Sequence, residues 1–396
     1  MLPEHDFIFR KDNGMKKIKV GIIGMGYIGE SHIEAVRRIG CCELYAVADT
    51  NAQLAKAKAE YYGIEKCYSS VAELLADPEI DAVHNCTPNF LHLAINKEII
   101  KSGKHLLSEK PLCTTYEEAA ELVELKKQYP DSVAAVNFNY RLNPMVQEMK
   151  NRIAAGKIGD VRIMTGSYQQ DWLLYDTDYS WRLEPEVSGN SCAIADIGSH
   201  WMDAIQHVTG HKIVEIMADV KTMIPIRKKP KKQTETFTSN VPTEFDEVEV
   251  KNEDYGAVLF HTDKGATGVY HVSELAAGHG CYFNFEINGS KATLKWNQEE
   301  NDRLWMGMRD DDNRFIIRNP NTISPEAKAY TGLAMGHPEG WNDAFKGNIY
   351  AFYKYITDGM QGEPVFATLE QAAYIVKLTE AVVESSRSKK WVKVDQ

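Results

Sequence analysis

No stretch of this chain approaches the ~20 consecutive apolar residues needed to cross a bilayer, which excludes a transmembrane helix. Positive charge is in deficit. The 45 Lys and Arg against 56 Asp and Glu give a formal net charge of −11, which argues against nucleic acid or an anionic membrane as the main partner. The seven cysteines form no CxxC pair, and an odd number in a chain this long reads as free thiols in a reducing compartment. Residues 1–14 lack the apolar core and cleavage pattern of a secretory signal. They read as a short extension before a fold that begins at Met15, and the cytoplasm is the expected location. Internal repeats and low-complexity tracts are also missing. What remains is a globular composition, 43% hydrophobic and 26% charged, in 396 residues, a length that predicts two domains over one core.

From residue 15 to 138 apolar runs alternate with helical patterns. Strands are expected at Ile18–Gly24, Glu43–Ala48, Ile80–Cys86, His105–Ser108 and Val133–Phe138. Helices are expected at Tyr27–Ile39, Asn51–Tyr62 (capped by Asn51), Phe90–Ser102 and Tyr116–Gln128. Gly103 falls where a left-handed helix cap belongs. This α/β alternation implies a parallel, doubly wound sheet covered on both faces.

Residues 139–396 follow another rhythm: a helix at Pro144–Ala155, then long strand candidates joined by turns such as Asn288-Gly289-Ser290. That pattern predicts an α+β domain on a large open, mostly antiparallel sheet. Its uncovered face predicts a homo-oligomer, dimer or tetramer, formed through that sheet. The charged stretch between Pro225 and Glu249, beginning Arg227-Lys228-Lys229, reads as a solvated surface loop, with an anion or partner site as the alternative.

Gly24-Met25-Gly26-Tyr27-Ile28-Gly29 is a GxGxxG directly between the first strand and the first helix. Gly24 permits the tight turn, Gly26 lets backbone approach a pyrophosphate, and Gly29 allows close helix–strand packing. Asp49, at the end of the second strand and followed by Thr50, would bind the ribose hydroxyls and repel a 2′-phosphate, which favours NAD over NADP. Two later strand ends carry Thr87-Pro88-Asn89, with His92 on the next helix, and Glu109-Lys110-Pro111. Ligands bind at such carboxyl ends, so these turns should line the nicotinamide side.

In the second half, Asp196 to His207 suggests a helix starting near Ser199, with His200, Asp203 and His207 on one face. Three uses fit that face. A metal site would need a fourth ligand that the chain does not clearly offer, and no metal is expected. A hydrogen-bonded structural face is the second. The third is a general base, with a carboxylate orienting an imidazole. Gln170-Asp171-Trp172 and Trp181-Arg182 could shape a sugar site, with Trp as the flat surface and Asp and Arg for hydroxyls; ordinary packing is the alternative for both tryptophans.

These residues, with Asn139-Tyr140-Arg141, resemble the Gfo/Idh/MocA oxidoreductase family over nearly the whole chain from Met15. The resemblance implies an N-terminal Rossmann domain that binds NAD and a C-terminal domain that binds a small-molecule sugar or glycoside. It implies that Lys110 hydrogen-bonds the reacting oxygen, that His207 is the principal base, and that Asp203 orients it; which of Lys110 and His207 takes the proton stays open. Tyr27, Ile28, Thr50, His92, Glu109, Trp181 and Arg182 would join the cofactor contacts, and Tyr140, Asp171, Trp172, His200 and His337 the substrate contacts.

Glu253-Asp254-Tyr255, Val272 to Leu275 with Gly278, Gly289 to Ala292 and His337 to Gly340 look similar to the levoglucosan dehydrogenase and glycoside 3-dehydrogenase branch. That branch oxidises C3 of a hexopyranose to a keto sugar. An inositol 2-dehydrogenase, an NAD-dependent glycosidase with transient C3 oxidation, and a non-catalytic sugar-responsive regulator are the alternatives on the same fold.

Overall fold

The structure, a computed structural model, describes residues 17–231 and 244–395; the expected extension at 1–14 lies outside the described residues. In chain order come β1 (Ile18–Ile23), α1 (Tyr27–Arg37), β2 (Cys42–Ala48), α2 (Ala52–Tyr62), β3 (Lys66–Tyr68), α3 (Val71–Ala76) and β4 (Ala82–Asn85). Then follow α4 (His92–Lys101), β5 (His105–Ser108), α5 (Tyr116–Lys127), β6 (Ala134–Val136), α6 (Pro144–Ala154), β7 (Val161–Gln169), the single turn α7 (Pro185–Ser188) and α8 (Ser199–Thr209). The strands β8 (Ile213–Lys221), β9 (Ile226–Pro230), β10 (Phe245–Glu249), β11 (Tyr255–Thr262), β12 (Thr267–Ser273), β13 (Tyr282–Gly289), β14 (Ala292–Asn297), β15 (Arg303–Met308) and β16 (Arg314–Ile317) succeed them. The chain closes with α9 (Pro325–Lys328), α10 (Trp341–Thr357), β17 (Ala367–Thr368), α11 (Leu369–Ser388) and β18 (Val392–Lys393). Among the described residues, no helix is long and apolar enough to cross a membrane.

Two compact units result. The first takes the chain up to Leu112, Glu117–Pro144 and Asn319–Ala372; the second takes Cys113–Tyr116, Met145–Arg318 and the chain from Ala373 onward. This differs from the single division expected at residue 138, because a late segment returns to the first unit. Phe345, Ile349, Tyr350 and Phe352 of α10 share one apolar core with Val20, Ile22, Ile33 and Val36 of β1 and α1.

The sheet of the first unit runs β17-β6-β5-β4-β1-β2-β3, parallel except for β17, which adds antiparallel at the edge. Its central strands are buried almost throughout, which explains their continuous apolar sequences. The Asn51 side chain accepts from Leu54 N–H and caps α2, and Gly103 turns left-handed after α4, both as the sequence predicts.

The sheet of the second unit runs β16-β15-β14-β13-β7-β12-β11-β8-β18. It is antiparallel apart from β7 and β12, which pair parallel where hairpins alone would give antiparallel neighbours. Helix α8 lies on its inner face. A Cβ at Gly166 would stand 2.6 Å from the Trp201 indole nitrogen, so the glycine admits the Trp201 ring. That ring stacks on Tyr270 at 4.4 Å and donates to the Asn284 carbonyl at 3.1 Å. The outer face leaves Ile163, Leu259 and Val269 exposed.

The charged stretch 225–249 is not simply a solvated loop. Its described parts form the hairpin β9–β10, and Arg227 at its head is fully buried. The Arg227 guanidinium donates to the carbonyls of Leu173, Tyr175 and Asp178 and pairs with Asp254 at 3.1 Å. An arginine supplies five donors in a fixed fork, which is why one residue can tie together three carbonyls and a carboxylate.

Candidate active site

The first group of expected residues surrounds the carboxyl ends of β1, β2, β4 and β5. Gly24 is left-handed (φ 93°), and a Cβ there would meet the Cys86 carbonyl at 2.7 Å. A Cβ on Gly29 would stand 2.1 Å from the Gly24 carbonyl oxygen, whereas nothing lies within 4 Å of one on Gly26. The turn therefore closes tightly at its two ends and leaves space at its middle glycine. No side chain caps the N-terminus of α1, so its first N–H groups meet no built-in oxygen. Tyr27 is exposed and Ile28 half-buried at this end of the helix. Asp49 accepts from Met25 N–H and from Asn51 N–H, each at 2.8 Å, which pins the carboxylate beside the glycine turn; Thr50 next to it is exposed. These features fit a dinucleotide.

The turns after β4 and β5 are tied together from beneath. Thr87 Oγ1 donates to Asn85 (2.7 Å), Asn85 to Asn96 (2.8 Å), Asn96 to Ser108 (2.9 Å), and Ser108 to the Glu109 carbonyl (3.0 Å). Pro88 is exposed and Asn89 half-buried on the same turn. His92, expected among the cofactor contacts, is fully buried with Nδ1 2.7 Å from the Pro111 carbonyl and Nε2 2.8 Å from the Thr87 carbonyl. Its ring thus spans the two turns. Burial pulls its pKa down, against the two carbonyls, which push it up.

Glu109, likewise expected among the cofactor contacts, turns its carboxylate inward. It accepts from His32 Nε2 (2.9 Å), Asn137 Nδ2 (2.6 Å) and Lys110 N–H (3.2 Å). Burial pushes this carboxyl up, yet the His32 ring, the Asn137 amide and the Lys110 charge outweigh it and hold the group below the usual range. Lys110 itself is half-buried on the peptide that precedes Pro111. Behind Glu109 lie residues that the pattern of the sequence did not single out. His32 Nδ1 meets His84 Nδ1 at 2.8 Å, His84 Nε2 meets the Tyr353 hydroxyl at 2.6 Å, and Asn348 donates to Asn137 at 2.7 Å. A polar pair, His84-Asn85, at the end of a short buried strand was the available signal for His84. Tyr140 is buried in the short turn Asn139–Leu142, and His337 is exposed.

The second group gathers in the other unit. One π turn, Ile194–Gly198, leads into α8, where His200 and Asp203 are buried and His207 half-buried on the side away from Trp201. The Gln147 amide nitrogen lies 2.9 Å from His207 Nε2 and the Lys150 ammonium 3.4 Å, both from α6. Both partners bring N–H groups toward the ring, so this edge of His207 faces polar side chains of α6. Sequence spacing predicted Asp203 and His207 on one face; nothing in it pointed to Gln147 or Lys150. Trp172 packs against the cluster of Leu173, Leu183, Cys192 and Val250. Arg182 stands over the rings of Trp181 (4.6 Å) and Trp172 (5.9 Å) and pairs with Asp196 at 3.4 Å. Asp171 accepts from Gly278 N–H at 3.3 Å.

Comparison with known proteins agrees with both halves. Residues 18–138 match the model of an oxidoreductase family with an NAD-binding Rossmann fold, and residues 146–295 match the Gfo/Idh/MocA C-terminal domain. The chain is 29% identical to the levoglucosan dehydrogenase of Pseudarthrobacter phenanthrenivorans, over 96% of this chain and 99% of that one. A solved structure of levoglucosan dehydrogenase with NADH and levoglucosan superimposes with a TM-score of 0.86 at 27% identity, covering 96% of this chain and all of that chain. Glucose-6-phosphate 3-dehydrogenase of Bacillus subtilis is 25% identical over 70% of this chain and 74% of its own length. The chain belongs to the Gfo/Idh/MocA family of oxidoreductases and carries that family's NAD-binding Rossmann domain.

Proposed function

We propose that this protein oxidises a secondary hydroxyl, that of C3, in a hexopyranose sugar or glycoside to a keto sugar, with NAD as acceptor. The observation that carries this reading is the end-to-end likeness to levoglucosan dehydrogenase, which spans 96% of this chain and 99% of the relative. Gly24 to Gly29 hold the pyrophosphate through backbone N–H groups, and Asp49 takes the ribose hydroxyls. NAD, when bound, supplies the hydride acceptor. Lys110 hydrogen-bonds the reacting oxygen and favours its alkoxide character. His207 takes the hydroxyl proton, and Asp203 orients the ring and binds a neighbouring hydroxyl. Trp172, Trp181 and Arg182 contribute the flat and charged surfaces that hold a pyranose. The exposed Ile163, Leu259 and Val269 support assembly of two or four copies through the outer sheet face.

The test is a panel of glucosides, levoglucosan, free hexoses and inositols scored by NADH absorbance, with the oxidised carbon identified by NMR. Oxidation of glycosides at C3, reduced at least about a hundredfold in Lys110→Ala and in His207→Ala, is the expected result. Turnover of inositols alone refutes it. Release of aglycone without net NADH identifies a glycosidase, and NAD binding without turnover identifies a regulator.

A further inference from the structure

Four buried titratable groups in the first unit form one unbroken line: Tyr353 on α10, His84 on β4, His32 on α1 and Glu109 after β5. The successive separations are 2.6, 2.8 and 2.9 Å. None of these groups takes part in the proton transfer derived above, although the line ends on the residue beside Lys110.

Hydrogen-bond accounting fixes its direction. The Tyr353 hydroxyl is buried, and His84 Nε2 is its one partner among the described residues. A buried O–H needs an acceptor, so the hydroxyl donates and His84 Nε2 accepts. His84 then carries its proton on Nδ1 and donates to His32 Nδ1. His32, accepting there, carries its proton on Nε2 and donates to Glu109. With the reverse polarity His84 would donate to the hydroxyl oxygen and leave the Tyr353 proton without an acceptor. Burial holds the His84 ring well below the usual histidine range, with His32 acting in the same direction, which keeps it neutral. The phenol of Tyr353 is pushed well above its own range by burial and so keeps its proton.

We infer that Tyr353 is a positioning residue that acts through His84 and His32 to set the Glu109 carboxylate, and through it the main chain of Lys110. Each donor in the line points toward Glu109, and hydrogen bonds in such a line polarise one another. The carboxylate receives His32, Asn137 and the Lys110 N–H together, so its position is fixed from three directions. A residue remote in sequence thereby holds the peptide that bears the catalytic lysine.

The kinetic part of this inference rests on the oxidoreductase reading; the proton positions do not. Neutron diffraction from perdeuterated wild-type protein at neutral pD is expected to show deuterium on His84 Nδ1 and His32 Nε2, with His84 Nε2 and His32 Nδ1 bare. Deuterium on His84 Nε2, or on both nitrogens of His32, overturns the inference. In Tyr353→Phe, kcat is expected to fall about tenfold with the dissociation constant for NAD within twofold of wild type, a split that loss of fold alone would not give. An unchanged kcat in a folded Tyr353→Phe overturns the positioning role. If that variant does not fold, the wild-type neutron map still decides. Wild-type protein inactive on the whole panel would refute the oxidoreductase reading and leave the proton assignment standing or falling by itself.

Discussion

Replacing Glu109 by Gln keeps the shape of the side chain and removes one charge, which makes it the sharpest probe of the turn that carries Lys110. The carboxylate accepts three N–H groups and donates none. An amide oxygen can retain His32 and Asn137 as neutral bonds, each weaker than the charge-assisted bond by roughly 0.5–1.5 kcal/mol. Its NH2 group then faces the part-buried Lys110 N–H in place of an accepting oxygen, which costs about 1 kcal/mol. Against this stands the relief of no longer burying a charge, so the net loss is about 2–3 kcal/mol. For a unit of this size that lowers Tm by roughly 4–12 °C.

The pH dependence follows from the sign. The folded pKa of Glu109 lies below the usual range, so its stabilisation is complete above the unfolded value of ~4.3 and is lost as pH falls through the folded value. Calorimetry of wild type and Glu109→Gln should show a constant gap from about pH 8 to 5 that shrinks in stronger acid. Equal stability at pH 7, or a gap that widens on acidification, would refute the assignment of an ionised carboxylate.

Gly29→Ala places a methyl 2.1 Å from the Gly24 carbonyl, backbone against backbone, and should weaken NAD binding at least about tenfold in a fluorescence titration; unchanged affinity would remove the tight-turn argument. Asp49→Ser removes the charge proposed to repel a 2′-phosphate together with the tie to Met25 and Asn51. The preference for NAD over NADP in kcat/KM should drop by about tenfold or more, and the absolute rate with NAD should fall as well. Arg227→Met strips four contacts from buried carbonyls and from Asp254, which should cost about 3–5 kcal/mol and appear as a lower urea midpoint. A free-energy loss under about 1 kcal/mol, worked from the midpoint shift and the m value, would mean that water replaces the guanidinium.

The nucleotide half was legible because each of its devices is local. Gly24 to Gly29 sit between a strand and a helix, Asn51 caps the helix that follows it, and Asp49 ends a strand, each marked by its place at the end of an element. The return of α10 and β17 was not legible. Residues Ala344 to Tyr353 of α10 are all buried, so no polar stripe marks which face meets a partner, and a two-residue strand has no periodicity. His84 and Arg227 were missed for a related reason: pattern reading treats a short buried strand as filler and a basic run as surface, while each of these side chains is buried by partners distant in sequence. For the face of α8, spacing alone placed His200, Asp203 and His207 together, but the Gln147 and Lys150 side chains beside His207 come from another helix.

The late return of residues 319–372 also bears on how the chain is made. A ribosome that has emitted residues up to Pro144 has released every parallel strand of the nucleotide sheet, but not the helix that covers α1 or the strand that closes the β6 edge. About 230 further residues must appear first, roughly 10–45 s at ~5–20 residues per second. During that interval the nascent nucleotide unit presents an open apolar seam and an unpaired sheet edge, the two features that chaperones recognise and that aggregation exploits. A gene truncated after residue 138 would make that waiting state permanent.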